Sequence, residues 1–175
     1  SERQFRLMMP DLAVELLMPP LMAKITKLAP NVRIDVVPWR GPAIFTAEFA
    51  RTIDMVISIG NSFSGFHRQR LYIDSDALAV RKGHPVGIRL KRLETYLDAR
   101  HVAVVIRGQS EDLIDGWLRA NGIERRIALV VPGYIEALHV TARTDLVAFV
   151  PRRLIGALSK QLSLATITPP LDPGI

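Results

Sequence analysis

Apolar runs of strand length alternate with stretches of helical spacing along most of the chain, and this alternation restricts the fold more than any other feature. Residues 32–38 (VRIDVVP) alternate as a strand does, and residues 54–60 (DMVISIG) form a continuous apolar run of the kind buried on both faces of a parallel sheet. With the helical patterns between and before them they give strand, helix, strand, helix, strand, which is a doubly wound half. About midway, residues 76–85 (DALAVRKGHP) carry an extended stretch into a basic turn ending in His84-Pro85, and the pattern then restarts. Such a segment in such a place is expected to be the first crossover between two lobes. Ligand-dependent lobe closure, rather than chemistry, is then the expected mode of action.

The remaining elements follow from spacing. Residues 4–9 read as the first strand, and Asp11 is expected to cap a helix carrying Leu12, Leu16 and Leu17. Pro19 and Pro20 cannot sit deep in that helix without kinking or restarting it, and the apolar spacing continues through Leu21, Met22, Ile25 and Leu28 to Ala29-Pro30. A Gly-Pro loop at 39–42 precedes a helix expected over 43–51, with Ile44, Phe45, Ala47 and Phe49 available for packing. After a polar loop at 61–70, residues 71–80 are extended. Helices are expected over 90–97, 110–120, 134–142 and 152–158, and strands over 102–106, 127–131, 146–150 and 162–167. The predicted architecture is α/β, two Rossmann-like lobes joined by crossover strands, one near 76–82 and a return near 148–155. Lobe I covers 1–76 with 156–175 returning to it, and lobe II covers 77–155.

Composition narrows the function. At 175 residues and 49% hydrophobic, the chain can bury a full core. No apolar run reaches the roughly 18 residues that span a bilayer, so no membrane partner is expected. The start, SERQFRLMMPDL, has no signal-peptide pattern. Without an initiator Met the chain reads as a fragment or a processed product. The absence of cysteine excludes disulfides and thiolate chemistry and fits a reducing compartment, with a cytoplasmic location expected. The formal charge of +6 comes from basic residues in twos and threes, such as Arg89 with Lys91 and Arg92, mostly at turns and helix ends. They read as solvated surface and helix-dipole compensation rather than a nucleic-acid stripe.

In open α/β sheets ligands sit beyond the carboxyl ends of the strands, which selects the loops at 9–12, 39–42, 59–61, 107–110 and 132–134. Trp39 and Arg40 could hold an aromatic ligand by stacking and charge, or Trp39 could pack against its own lobe. Asn61 closes the third loop. Arg107 supplies charge beside Gln109 and Ser110, with Ser110 also read as a helix cap. Gly133 and Tyr134 occupy the matching place in the second half, Tyr134 offering a ring with a hydroxyl handle. His101 either reaches a ligand oxygen from the cleft edge or is structural. The four histidines show no i to i+4 pairing, so neither a metal site nor a cofactor is expected. No nucleophile-base-acid constellation, Walker loop or G-x-S-x-G is present, so no enzyme is expected.

Five stretches carry a resemblance. Phe5-Arg6-Leu7, Leu17-Met18-Pro19 with Leu21, Leu28-Ala29-Pro30-Asn31-Val32, Ile53-Asp54-Met55-Val56-Ile57 and Arg81-Lys82-Gly83-His84-Pro85 occur in the order and spacing of one family. Together they resemble the effector-binding domain of LysR-type transcriptional regulators along nearly the whole chain. Residues 100–105, 125–132 and 144–152 look like the subgroup responding to nitroaromatics, salicylate and nodulation flavonoids. The resemblance implies the type 2 periplasmic-binding-protein fold and a small, aromatic effector in the interlobe cleft. It also implies DNA binding through an N-terminal winged helix-turn-helix absent from this chain, and a C-terminal segment beyond its end. It implies homodimers or homotetramers formed by the first helix (Leu21, Met22, Ile25, Leu28) against a second-lobe helix (Leu113, Trp117), with Met22 and Leu28 read alternatively as core. In the family the turn after strand one often presents a hydroxyl and free amides to a ligand carboxylate. Pro10 offers neither here, and Asp11 adds negative charge. A periplasmic solute-binding protein of a transporter shares the fold and stands as the alternative, to be distinguished by upstream sequence.

Overall fold

The computed structural model describes residues 3–44, 46–60 and 63–174. The chain divides into two compact units, Ser1–Leu71 and Tyr72–Ile175.

In the first unit β1 (Arg3–Met9) lies between β2 (Val32–Pro38) and β3 (Met55–Val56), all parallel. Leu7 and Met9 point to the face packed by Ala13 and Met18 of α1 (Asp11–Leu28), and Phe5, Leu17 and Ile34 extend that core. The expected restart at Pro19-Pro20 does not occur, since one helix runs through both. Both rings are exposed, so the carbonyls they leave unbonded lie on the side open to water. The helix expected over 43–51 is replaced by a 3-10 turn at Pro42–Ile44 and a single turn, α2 (Ala47–Ala50). Thr46 sets the start of α2 by accepting the Phe49 amide at 3.2 Å, while Phe45 lies outside the described residues. The buried strand expected over 54–60 is likewise corrected. β3 has two residues, lies at the sheet edge and leaves Met55 55% exposed. Its flanks still bond β1, with Asp54 N–H donating to the Arg6 carbonyl and Ile57 N–H to that of Met8.

The second unit holds β4 (Asp76–Arg81), a 3-10 helix at Gly87–Lys91, α3 (Leu93–Asp98), β5 (Arg100–Val104) and α4 (Leu113–Ala120). These are followed by β6 (Arg126–Val131), α5 (Tyr134–Ala142), β7 (Val147–Pro151), α6 (Arg152–Leu162) and β8 (Leu164–Ile167). The strand order is β6-β5-β7-β4-β8, with β5 parallel to β6 and β7, and β4 antiparallel to β7 and β8. One face packs Leu78, Val80, Val147 and Phe149 against Tyr96, Ile114 and Leu118. On the other, Ala77, Ala79 and Ala148 are fully buried and let α5 and α6 approach closely. The division of lobes differs from expectation. Residues 148–155 do not leave this unit, because Ser163, in the left-handed region at φ 54°, turns α6 back into β8, and β8 pairs with β4 from Arg81↔Leu164 to Leu78↔Ile167.

The His84-Pro85 turn has a specific hydrogen-bonding role. Its imidazole Nδ1 accepts the amides of Val86 and Gly87 at 3.3 and 3.2 Å, which leaves the proton on Nε2 to donate to the Asp145 carbonyl at 2.8 Å. Arg81 donates to the Asp145 carboxylate at 2.8 Å, so the end of β4 is tied to the turn before β7 twice. His84→Ala is expected to lower stability by about 1–3 kcal/mol in urea unfolding; an unchanged midpoint would show that water replaces all three bonds.

Candidate functional site

At the carboxyl edge of the first sheet the chain leaves β1 at Pro10 and β2 at Trp39. Pro10 is buried and is the N-cap of α1, without a side-chain cap bond. Asp11, expected as the cap, is instead the first helical residue, and its carboxylate accepts the Leu12 amide at 2.8 Å. A carboxylate of the protein therefore already occupies this helix start, which disfavours a second one from a ligand. The Trp39 amide donates to the Met9 carbonyl at 3.3 Å, and its indole, 9% exposed, lies 6.3 Å from the Phe63 ring at 55°. Phe63 in turn meets Phe66 at 6.4 Å and 76°. Arg40 is exposed beside Trp39. Asn61 lies outside the described residues. Phe63 and Phe66, three residues apart in a Ser-Gly loop, were not singled out from the sequence, since what joins them to Trp39 is the fold.

In the second unit the corresponding edge is formed by the ends of β5, β6 and β7. Arg107 and Ser110 are exposed and Gln109 is half-buried in a turn closed by Gln109 N–H donating to the Ile106 carbonyl. Gly108, at φ 91°, supplies the positive φ that this turn requires. Ser110 is not the helix cap. Asp112 takes that role, because its Oδ1 accepts the Ile114 amide at 2.7 Å while Oδ2 accepts the Val104 amide at 2.6 Å. The same carboxylate lies 3.3 Å from Nη2 of Arg125, whose side chain is sealed from solvent and also pairs with Asp115 at 2.6 Å. Burial raises the Asp112 pKa, opposed by Arg125 and the two amides. One carboxylate thus fixes both ends of the 105–111 loop. Gly133 is the N-cap of α5 without a side-chain bond, and Tyr134, 8% exposed, opens that helix.

Asp76, unremarked in the sequence except as the start of an apolar run, pairs in register with Pro151 and so lies at this same edge. Desolvation, then Asp74 and Asp112, push its pKa from 3.8 up to about 7. Asp74 accepts the Arg153 amide at 3.1 Å at the start of α6, and the Arg153 guanidinium stacks 4.9 Å from the Tyr72 ring centre.

His101 is not at a cleft edge. It lies near the amino end of β5, fully buried, with Nε2 2.7 Å from the Tyr96 carbonyl and its ring 4.6 Å from that of Tyr96. Burial, reinforced by Arg125, lowers its pKa from 6.5 to about 4, so it is a neutral core residue. Of the expected interface residues, Leu28 is 83% and Leu113 41% exposed, Leu21 is at the surface, and Met22 and Ile25 are half-buried. Trp117 packs partly against the core of the second unit. An apolar groove of about 470 Å³ runs beside α1, lined by Leu17, Leu21 and Ile25 with Phe5, Ile34 and Ile57. Among the described residues no group of three or more acidic or histidine side chains could hold a metal, and no helix is long and apolar enough to cross a membrane.

The model of the LysR substrate binding domain family matches residues 1–173. The chain belongs to that family. This LysR substrate-binding domain is 32% identical over 172 residues to the HTH-type transcriptional activator NahR of Pseudomonas putida, covering 98% of the chain and 57% of that protein. It is 32% identical over 168 residues to the HTH-type transcriptional regulator SyrM of Rhizobium meliloti (strain 1021), covering 94% and 51%. The chain therefore spans about half the length of these curated relatives. A crystal structure of a probable transcriptional regulator from Pseudomonas aeruginosa superimposes with a TM-score of 0.88 at 28% identity, over 98% of this chain and 58% of that one. The fold is that of LysR effector-binding domains, of the type 2 periplasmic-binding-protein kind. The relatives are regulators rather than enzymes, and the transporter alternative finds no support among them.

Asp112→Ala, which leaves the buried Arg125 with Asp115 alone, takes the acceptor from the Val104 amide and uncaps α4, is expected to cost about 2–4 kcal/mol, and Asp112→Asn distinctly less because the amide oxygen can still cap; equal losses in chemical denaturation would mean that the cap contributes nothing. For Asp76, the folded state retains a proton that the unfolded state has already released, so the stability from this group falls as pH rises from about 4 to about 7. Asp76→Asn should therefore gain on the wild type across that window in melting curves. Parallel curves would indicate that Asp76 ionises at its ordinary pH.

Proposed function

We propose that this domain is the effector-sensing part of a LysR-type transcriptional regulator that acts in the cytoplasm. The observation that carries the reading is the family match over residues 1–173, with regulators at 32% identity across nearly the whole chain. The effector is a small aromatic molecule, in keeping with the ring-bearing loop at Trp39 and Phe63 and with Tyr134 at the start of α5. Arg40 and Arg107 are each exposed on a carboxyl-edge loop of their own unit, where a guanidinium can meet an acidic substituent. Pro10, Asp11, Gln109, Ser110 and Gly133 shape those loops. His101 is set aside as a contact because it is enclosed in the core.

The longer protein binds DNA through an N-terminal helix-turn-helix and works as a homodimer or homotetramer. Leu21, Met22, Ile25 and Leu28 of α1 and Leu113 and Trp117 of α4 supply the apolar contact. The ligand acts by binding two states of the protein unequally, with a coupling of about 1–3 kcal/mol.

A thermal-shift screen of this chain against aromatic acids, phenols, nitroaromatics and flavonoids tests the reading. A saturable stabilisation by one class is expected, reaching roughly 2.7 kcal/mol at 100 times the dissociation constant. Stabilisation only by sugars or aliphatic amino acids would contradict it.

A further inference from the structure

Among the described residues, the loops that leave β2 and β3 bring three aromatic rings into one row. Trp39 is 9% exposed, Phe63 is half-buried and Phe66 is 48% exposed, so the row runs from the core of the first unit to its surface. Successive centroids are 6.3 and 6.4 Å apart with planes at 55° and 76°, the tilted and edge-to-face arrangements that aromatic rings prefer. The outer pair is held by a turn. Phe66 N–H donates to the Phe63 carbonyl at 3.4 Å, and Gly65, third of the four residues, has the positive φ (83°) that a type II turn demands at that position. Ser64-Gly65 thus places two phenyl rings together. A loop that served only as a connection would gain nothing from leaving half of a phenyl ring in water at the edge where α/β sheets bind ligands. Exposed arginines adjoin both ends of the row in sequence, Arg40 next to Trp39 and Arg68 two residues after Phe66.

We propose that Phe66, backed by Phe63 and Trp39, is the ring-recognition wall of the effector site, selecting an aromatic ring that carries an anionic substituent over an aliphatic acid of the same size. The proposal rests on the aromatic-effector reading above and names the residues that make the ring necessary. A phenyl ring entering beside Phe66 continues the row edge to face, whereas a saturated ring meets only apolar surface.

The test uses this chain and three defined probes, benzoate, 1-naphthoate and cyclohexanecarboxylate. Binding is followed by calorimetry and by the fluorescence of Trp39 in a Trp117→Phe background. Phe66→Leu keeps the apolar bulk and removes the ring. It is expected to weaken benzoate and 1-naphthoate by roughly tenfold, as loss of one aromatic pair allows, and to leave cyclohexanecarboxylate unchanged. Gly65→Val, which strains the turn, should reproduce the selective loss with the melting temperature of Phe66→Leu as the folding control. Equal affinity of wild type and Phe66→Leu for the aromatic probes would overturn the wall and leave the aromatic reading standing. Equal weakening of all three probes would reduce Phe66 to a general apolar contact and also overturn it. Failure of benzoate and 1-naphthoate to bind the wild type would overturn the aromatic reading itself, and the wall with it.

Discussion

A guanidinium enclosed in a protein interior has to be neutralised, and the needs of Arg125 organise the second unit. Its side chain is fully shielded and is answered by Asp112 and Asp115, one just before α4 and one within it. Since Asp112 also receives the amide that ends β5, the helix, the strand and the turn into β6 are fixed relative to one another through one ion-pair cluster. The loop from Val105 to Glu111 is held at both ends while Arg107 and Ser110 stay at the surface. A rigid frame bearing an exposed polar loop is what a site needs if it is to hold a ligand in one pose.

Burial determines which side chains in this frame can take part in recognition. His101 and Tyr96 are locked together in the core, and burial drives the Tyr96 hydroxyl pKa up to about 12 and the imidazole pKa down to about 4, so neither changes charge near neutrality. Asp76 differs. It lies where β4 meets the carboxyl end of β7, and its burial beside Asp74 and Asp112 brings its pKa to about 7. The second unit therefore offers an acidic group able to donate or accept a hydrogen bond at one end of its sheet. The first unit offers rings at its own carboxyl edge.

Much of this was legible in the sequence, for identifiable reasons. Residues 32–38 and 134–142 were placed to the residue, because clean alternation and a Pro-Gly break followed by helical spacing leave no competing reading. Residues 54–60 misled because an apolar run looks the same in a central strand and in a short edge strand. Ser110 lost the cap to Asp112 because a carboxylate that can also bond Val104 gains more than a hydroxyl in solvent, and that second partner is invisible in sequence. The turn of α6 into β8 depended on Ser163 adopting a conformation usually left to glycine. Of the candidate site, the loops were legible from the carboxyl-edge rule and the ring row was not, since it joins residues far apart in the chain.

We propose that loops at the carboxyl ends of the strands hold the effector. Hydrogen exchange of this chain with and without saturating 1-naphthoate tests it most directly. Slowed exchange is expected in peptides covering residues 39–42, 63–66, 107–110 and 133–136, with little change at the amino ends of β5 and β7. Protection confined to those amino ends, or to the groove beside α1, would contradict it.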